Sequence, residues 1–158
     1  MSQAVMDTTR VAGYSGRARA ARIGVAVAVL AMALVVYGAY GDSQASSSQK
    51  SAVPVLVGMV AVAAAIVYGL LAPLAQRSVA RQSPASRRWA IGLGVVSVLS
   101  LAIFWAGLPL ILGGAAALVG HEGRSTSHAS RAFTSAWWLG LVAGTLAVIV
   151  TIVGNTLH

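Results

Sequence analysis

Four long runs without Asp, Glu, Lys, Arg or His dominate the chain and leave few folds open. They cover residues 23–40, 53–75, 89–120 and 136–154. A helix needs about 20 residues to cross a hydrocarbon core, because it rises about 1.5 Å per residue. The runs do not alternate polar and apolar residues, as the strands of a membrane β-barrel would. The sequence therefore predicts an all-α integral membrane helical bundle.

The composition agrees with this class. Hydrophobic residues make up 58% of the chain and charged residues 9%, against roughly 45–50% and 25% in soluble domains. Cysteine is absent, which excludes a disulfide framework, a thiolate metal site and a redox CxxC motif. A chain of 158 residues is one domain by length. We expect a basic N-terminal segment at 1–22, a single transmembrane domain at 23–154 and a short tail at 155–158.

The basic residues flank the apolar runs, which indicates membrane orientation rather than nucleic-acid binding. The net charge is +8. Lys50 is the one basic residue between the first two runs. By the positive-inside rule, the N-terminus is expected on the cytoplasmic side of a bacterial inner membrane. Four Arg precede the first run and four follow the second: Arg10, Arg17, Arg19 and Arg22, then Arg77, Arg81, Arg87 and Arg88.

The run at 89–120 is too long for one straight span. Its 32 residues would extend about 48 Å as a helix, against a core of about 30 Å. Gly107 and Pro109 interrupt it, and such residues permit a reversal. We therefore predict a Gly/Pro-broken hairpin at 89–121. The five apolar segments are then 23–40, 53–75, 89–106, 108–121 and 136–154.

Charge favours this hairpin, and length argues for an alternative. With the hairpin, ten of the eleven Lys and Arg residues (all but Lys50) lie inside. With a single bent span, Arg124 and Arg131 lie outside together with Lys50, and eight of the eleven basic residues remain inside. The return segment has only 14 residues, about 21 Å. Four spans with a third helix kinked at Pro109 therefore remain open as the alternative.

Cap and turn residues predict the ends of the helices. The Ser-rich stretch 41–52 reads as an exposed connector, and Pro54 suits the first turn of the second helix. The second span is expected to end near Pro73. Ser83 and Pro84 predict a cap and a first helical position. Cleavage of a signal peptide at Ser43-Gln44-Ala45 is the alternative for the first run, which exceeds the usual 7–15 apolar residues of such a peptide.

A family resemblance rests on the last third of the chain. The pattern is the "GLP" break, the small-residue helix "LILGGAAALVGH", a polar basic loop and "WWLGLVAGTLAVIV". Over about residues 89–154 it resembles the domain of unknown function 4190, which occurs in small membrane proteins of Gram-positive bacteria. The resemblance implies the hairpin and brings no activity. Gly123, Arg124 and the Ser/Thr run make this loop less basic and less helical than expected of the family.

Small residues at four-residue spacing predict helix packing. Gly140 and Gly144, extended backwards by Ala136, form such a face on the last segment. With 17 Gly in the chain, chance spacing is the alternative. We expect the lipid bilayer as partner, with a second copy or another membrane protein against such a face. Two similar stripes are Ala20, Gly24, Ala28 and Ala61, Ala65, Gly69.

Residues with ligand or catalytic chemistry are few. His121, Glu122 and His128 lie in one polar loop without a second carboxylate, so no metal is expected, and Gly120-His121 reads as a helix end. Ser97 and Ser100 lack a base at similar depth. No His lies in a span to hold haem. We expect no cofactor, no catalytic residue and no enzyme activity.

Aromatic residues mark the ends of the segments, where amphipathic rings prefer to lie. Phe104 and Trp105 lie near the proposed turn. The sequence predicts a structural or accessory component of the cell envelope that acts through helix packing. The alternative is a small transport or channel subunit that works as an oligomer. The other aromatics at segment ends are Tyr37, Tyr40, Trp89, Trp137 and Trp138.

Overall fold

The computed structural model describes residues 3–41, 46–126 and 130–156, with side chains except those of 3–17, 104–106 and 155. Every element in these ranges is helical, which confirms the all-α class. A π-helical turn, Val67–Leu71, joins α2 to α3, and a 3-10 turn, Ser100–Ala106, follows α4. The helices are α1 Gln3–Tyr40, α2 Ser47–Ile66, α3 Ala72–Ala80, α4 Ala85–Leu99, α5 Leu108–Arg124 and α6 Arg131–Thr156.

Within the described ranges, four helical stretches are long and apolar enough to cross a membrane. They are Ala18–Tyr40, Ser47–Ala80, Ala85–Ile103 and Arg131–Gly154. Helix α5 has 17 residues, about 26 Å, and is shorter than these. The helices extend beyond the apolar segments: α1 begins at residue 3 rather than 23, and α6 at 131 rather than 136.

The chain reverses between α4 and α5, which confirms the predicted hairpin. Ile103 leaves helical geometry at φ −124° and ψ 44°. Gly107 has φ 68° and ψ 0°, a left-handed conformation that glycine adopts without steric cost. Pro109 lies in the first turn of α5, where a missing N–H breaks no helical hydrogen bond. Ala90 of α4 then packs in one cluster with Val119 near the far end of α5, a contact that a single kinked span could not make.

Helix α5 occupies the centre of the bundle and contacts all the other helices. Ile111, Ala115 and Val119 are fully buried. One apolar cluster packs the first half of α5 against α1, α2 and the π-helical turn. A second cluster packs the other half against α3, α4 and α6. Small side chains on α5 suit this position, because they let several neighbours approach closely in lipid.

The predicted start of the second helix was wrong. Helix α2 begins at Ser47, inside the supposed connector, so Pro54 lies in the helix interior rather than in its first turn. A capping box explains the early start. The Gln49 N–H donates to Ser46 Oγ at 3.3 Å, and the Ser46 N–H donates to Gln49 Oε1 at 2.9 Å. The alternative cleavage site at 43–45 lies outside the described residues.

The helix runs past Pro73, near which the second span was expected to end. The helix continues to Ala80 through the π-helical turn, in which the Ala72 N–H donates to the carbonyl of Val67, five residues back. Proline has no N–H and clashes with the carbonyl four residues before it. The wider turn accommodates Pro73 without ending the helix.

The next helix starts one residue later than predicted. Pro84 occupies the cap position of α4, and Ala85 is the first helical residue. The Ala85 N–H donates to Ser83 Oγ at 3.3 Å. The serine therefore still supplies a side-chain acceptor at this helix start, as the sequence indicated.

Candidate functional site: a glycine-packed centre with two polar ends

Helices α5 and α6 approach so closely that their backbones touch. A Cβ built on Gly140 would collide with the carbonyl oxygen of Gly113 and lie 2.7 Å from the amide nitrogen of Ala117. A Cβ on Gly113 would lie 2.6 Å from the Gly140 carbonyl oxygen. Two turns further along α5, a Cβ on Gly120 would lie 2.6 Å from the Trp137 nitrogen. These three positions have room only for glycine.

The predicted packing residues Ala136, Gly140 and Gly144 all lie in this interface, but their fit differs. Ala136 is fully buried. A Cβ on Gly144 would meet only Leu110 Cδ1, at 3.5 Å, an ordinary van der Waals distance. Gly140 is thus the tight position of the pair. Sequence reasoning missed the partners Gly113 and Gly120, whose seven-residue spacing places them on one face of α5.

The other two small-residue stripes have different outcomes. Gly24 on α1 is buried, and a Cβ there would lie 2.5 Å from Cγ of Tyr68. Ala61, Ala65 and Gly69 are exposed on α2 and the π-helical turn. The buried face of α2 is formed instead by Val53, Val60 and Ala64.

A buried tyrosine in the π-helical turn connects α1, α2 and α5. The Tyr68 hydroxyl donates to the carbonyl oxygen of Ile111 at 3.1 Å. Its ring lies against Gly24 and its hydroxyl against Gly114, and a Cβ on either glycine would collide with the tyrosine. Sequence reasoning missed this contact. A lone Tyr in the middle of an apolar run, away from any interface, was the available signal.

A polar cluster closes the basic end of the bundle. Glu122 lies on α5, half-buried, and accepts a hydrogen bond from Gln76 Nε2 at 2.9 Å. Glu122 lies one residue beyond the apolar segment 108–121. Burial raises the pKa of its carboxyl, while the Gln76 hydrogen bond and the Arg19 charge lower it. The guanidinium carbon of Arg124 lies 3.9 Å from the ring centroid of Trp137, a cation–π distance.

This arrangement corrects the interpretation of residues 120–128. Gly120-His121 is not a helix end, because α5 continues to Arg124. His121 is exposed, and its Nδ1 atom lies 3.5 Å from a guanidinium nitrogen of Arg124. His128 lies outside the described residues. Among those that the structure describes, no group of three or more His, Cys, Asp or Glu side chains forms a metal site.

Hydroxyl groups within the apolar helices bond their own backbone. Ser97 Oγ donates to the Gly94 carbonyl at 2.7 Å, and Ser100 Oγ donates to the Ser97 carbonyl at 2.7 Å. Thr151 Oγ1 donates to the Ala147 carbonyl at 2.8 Å. Such bonds satisfy a hydroxyl inside an apolar helix. These three side chains are therefore occupied locally.

The aromatic residues at the helix ends are unequally exposed. Tyr37, Tyr40 and Trp138 are exposed, whereas Trp89 and Trp137 are half-buried. Trp137 and Trp138 form an edge-to-face pair with centroids 4.7 Å apart. The side chains of Phe104 and Trp105 lie outside the described part, so their predicted interfacial position stays a prediction.

A cavity of about 390 Å³ lies at the end of the bundle opposite the basic cluster. Helices α1, α2, α5 and α6 surround it. Its size lies within the range of small-molecule sites. Gln49 and Thr151 contribute polar groups to a lining that is otherwise apolar or small, including Leu34, Gly38, Leu56, Gly107 and Leu110.

The known proteins offer no further assignment for these sites. The chain matches no family model, no curated protein and no solved structure.

Proposed function

We propose that this small membrane protein is a structural or accessory component of the cell envelope that acts through helix packing. The backbone contact between α5 and α6 is the observation that carries the proposal. Gly140, Gly113 and Gly120 leave no space for a Cβ, so the centre of the bundle is a fixed packing core. In this account the chain is not an enzyme and presents a preformed helical surface to a membrane protein or to a second copy.

The distribution of charge supports a cytoplasmic N-terminus in a multi-pass bacterial inner-membrane protein. The antiparallel order of the helices brings the basic residues of five helices and one loop to one end of the bundle. Lys50 near the start of α2 is the basic residue described at the other end. Lys and Arg concentrate on the cytoplasmic side of membrane proteins. The residues at the basic end include Arg19, Arg22, Arg77, Arg81, Arg87, Arg88, Arg124 and Arg131.

A small transport or channel subunit is the second candidate, and the cavity favours it. A space of about 390 Å³ between α1, α2, α5 and α6 offers a chamber for a solute or for part of an oligomeric pathway. The side-chain nitrogen of Gln49 would supply a donor, and Thr151 Oγ1, whose proton is donated to the Ala147 carbonyl, an acceptor.

Flux in liposomes distinguishes the two candidates. Gly38 lines the cavity, and nothing lies within 4 Å of a Cβ built there. Gly38→Leu should therefore fill the space without disturbing the fold. Gly58→Leu, at an exposed glycine of α2 with equally open surroundings, is the matched control. The structural proposal predicts no ion or solute flux with any of the three proteins.

Flux that Gly38→Leu abolishes and Gly58→Leu preserves would replace the structural proposal with the transport one. Crosslinking in native membranes tests the structural proposal positively. A photoreactive residue at exposed Leu141 of α6 should form one reproducible adduct, with a membrane protein or with a second copy. Adducts with lipid alone would contradict the proposal.

A further inference from the structure

A groove of about 450 Å³ runs along α4, between the π-helical turn and α5. Gly92 lines it, and nothing lies within 4 Å of a Cβ built on that glycine. The missing side chain keeps the groove open. Between Arg88 and Val96 it follows α4 for eight residues, which is about 12 Å. The apolar side chains of its lining are Leu71, Leu93, Val96 and Leu112.

The lining of the groove is almost entirely apolar, and the end nearest the start of α4 carries one positive charge, on the exposed side chain of Arg88. Arg88 and Trp89 line it there. Arg88 is exposed and has no hydrogen bond or ion pair with any part of the chain that the structure describes. Tryptophan is enriched at the level of the lipid headgroups. The groove therefore joins an unpaired cation at an interfacial depth to an apolar surface further along α4.

We propose that this groove binds one anionic phospholipid, with its phosphate at Arg88 and one acyl chain along Gly92 towards Val96. Charge complementarity selects this occupant. A lipid without net charge would fill the apolar part equally well, but its headgroup would bring no net negative charge to the Arg88 guanidinium. Basic pockets between membrane helices on the cytoplasmic side bind anionic headgroups in this way.

Native mass spectrometry of the delipidated full chain tests the proposal, with dioleoyl phosphatidylglycerol and dioleoyl phosphatidylcholine as probes. The wild-type protein should retain one phosphatidylglycerol molecule more tightly than any phosphatidylcholine. Gly92→Leu should abolish this retention, because the new side chain occupies the groove. Gly58→Leu is the matched control. It should retain the lipid, because Gly58 lies on α2, outside the groove, in equally open surroundings.

A second variant separates the charge from the fit. Arg88→Gln should weaken phosphatidylglycerol binding about fivefold, the effect expected of one basic side chain at a lipid surface. It should leave phosphatidylcholine binding unchanged. Arg81→Gln, at an exposed Arg outside the groove lining, should behave as wild type. Inorganic phosphate at millimolar concentration should not displace the lipid, because it cannot fill the apolar part.

Three outcomes would overturn the proposal. One is equal retention of the two lipids by the wild-type protein. Another is undiminished phosphatidylglycerol binding by a folded Gly92→Leu protein, with folding checked by its thermal transition. The third is a disulfide between two copies carrying Gly92→Cys, which would show that a second copy covers the groove.

Discussion

Replacing Gly140 with alanine should force α5 and α6 apart. The added Cβ would collide with the carbonyl of Gly113 and lie 2.7 Å from the Ala117 nitrogen. Reaching an ordinary separation of 3.4 Å requires a shift of about 0.7 Å from the Ala117 nitrogen alone, and more from the Gly113 carbonyl oxygen. A gap of this size forfeits about a quarter to a half of the dispersion energy of the contacts that it opens.

The expected cost follows from the atoms involved. Overpacking costs about 1–3 kcal/mol, and backbone atoms of Gly113 and Ala117 cannot rotate away, so we use the upper value of about 3 kcal/mol. Alanine recovers about 1 kcal/mol through its better helix propensity. The free energy of unfolding should therefore fall by about 2 kcal/mol for Gly140→Ala.

Three alanine variants on α6, with increasing free space around the added Cβ, test this expectation. Unfolding of the detergent-solubilised protein by increasing SDS, followed by tryptophan fluorescence, gives the free energy of each variant. Gly144→Ala, with its nearest contact at 3.5 Å, and Gly154→Ala, with nothing within 4 Å, should lose no stability. If all three variants unfold at the same SDS fraction as the wild-type protein, the α5–α6 backbone contact does not hold the bundle together.

Two further changes test the polar contacts. Tyr68→Phe removes the hydroxyl that donates to the Ile111 carbonyl and should lower the free energy of unfolding by about 0.5–1 kcal/mol in the same assay; a gain in stability would show that the hydroxyl is a burden at this position. Glu122→Gln keeps an acceptor for Gln76 and removes a carboxyl whose pKa burial raises. A raised folded-state pKa contributes stability below the ordinary value, and this contribution is lost as the pH rises through the folded value. Thermal unfolding should therefore show that the variant gains stability relative to wild type as the pH rises above the ordinary Glu value; a relative stability that falls with rising pH would contradict this sign.

The membrane class and the hairpin could be predicted from the sequence because both depend on local properties. A charge-free run of sufficient length has few alternatives to a buried helix. Gly107 and Pro109 combine left-handed freedom with a missing donor, and the structure places the reversal there. The prediction needed no knowledge of which helices are neighbours.

The errors at helix ends have local causes that compete with proline. The connector before α2 was misread because the capping box at Ser46 starts the helix well before Pro54. Pro73 did not end the helix because the π-helical turn absorbs the missing hydrogen bond. In both cases another local feature accommodates a proline that the sequence rules treat as a boundary.

The centre of the bundle depends on which helices meet, and this could not be predicted. Spacing alone gives Gly140 and Gly144 equal weight. Their different tightness arises because Gly113 faces Gly140, whereas Leu110 faces Gly144. The contact of Tyr68 with α1 and α5 joins residues more than 40 positions apart, a pairing that no local pattern encodes.

Cysteine labelling from the two sides of the membrane tests the reversal of the chain at Gly107 most directly. The chain has no native Cys, and exposed Ser47 and Ser125 provide one labelling position at each end of the bundle. With α5 returning beside α4 and the N-terminus in the cytoplasm, an impermeant maleimide should label Ser47→Cys in intact cells and Ser125→Cys only after permeabilisation. Labelling of both variants in intact cells would place residues 47 and 125 on the same side and contradict the hairpin.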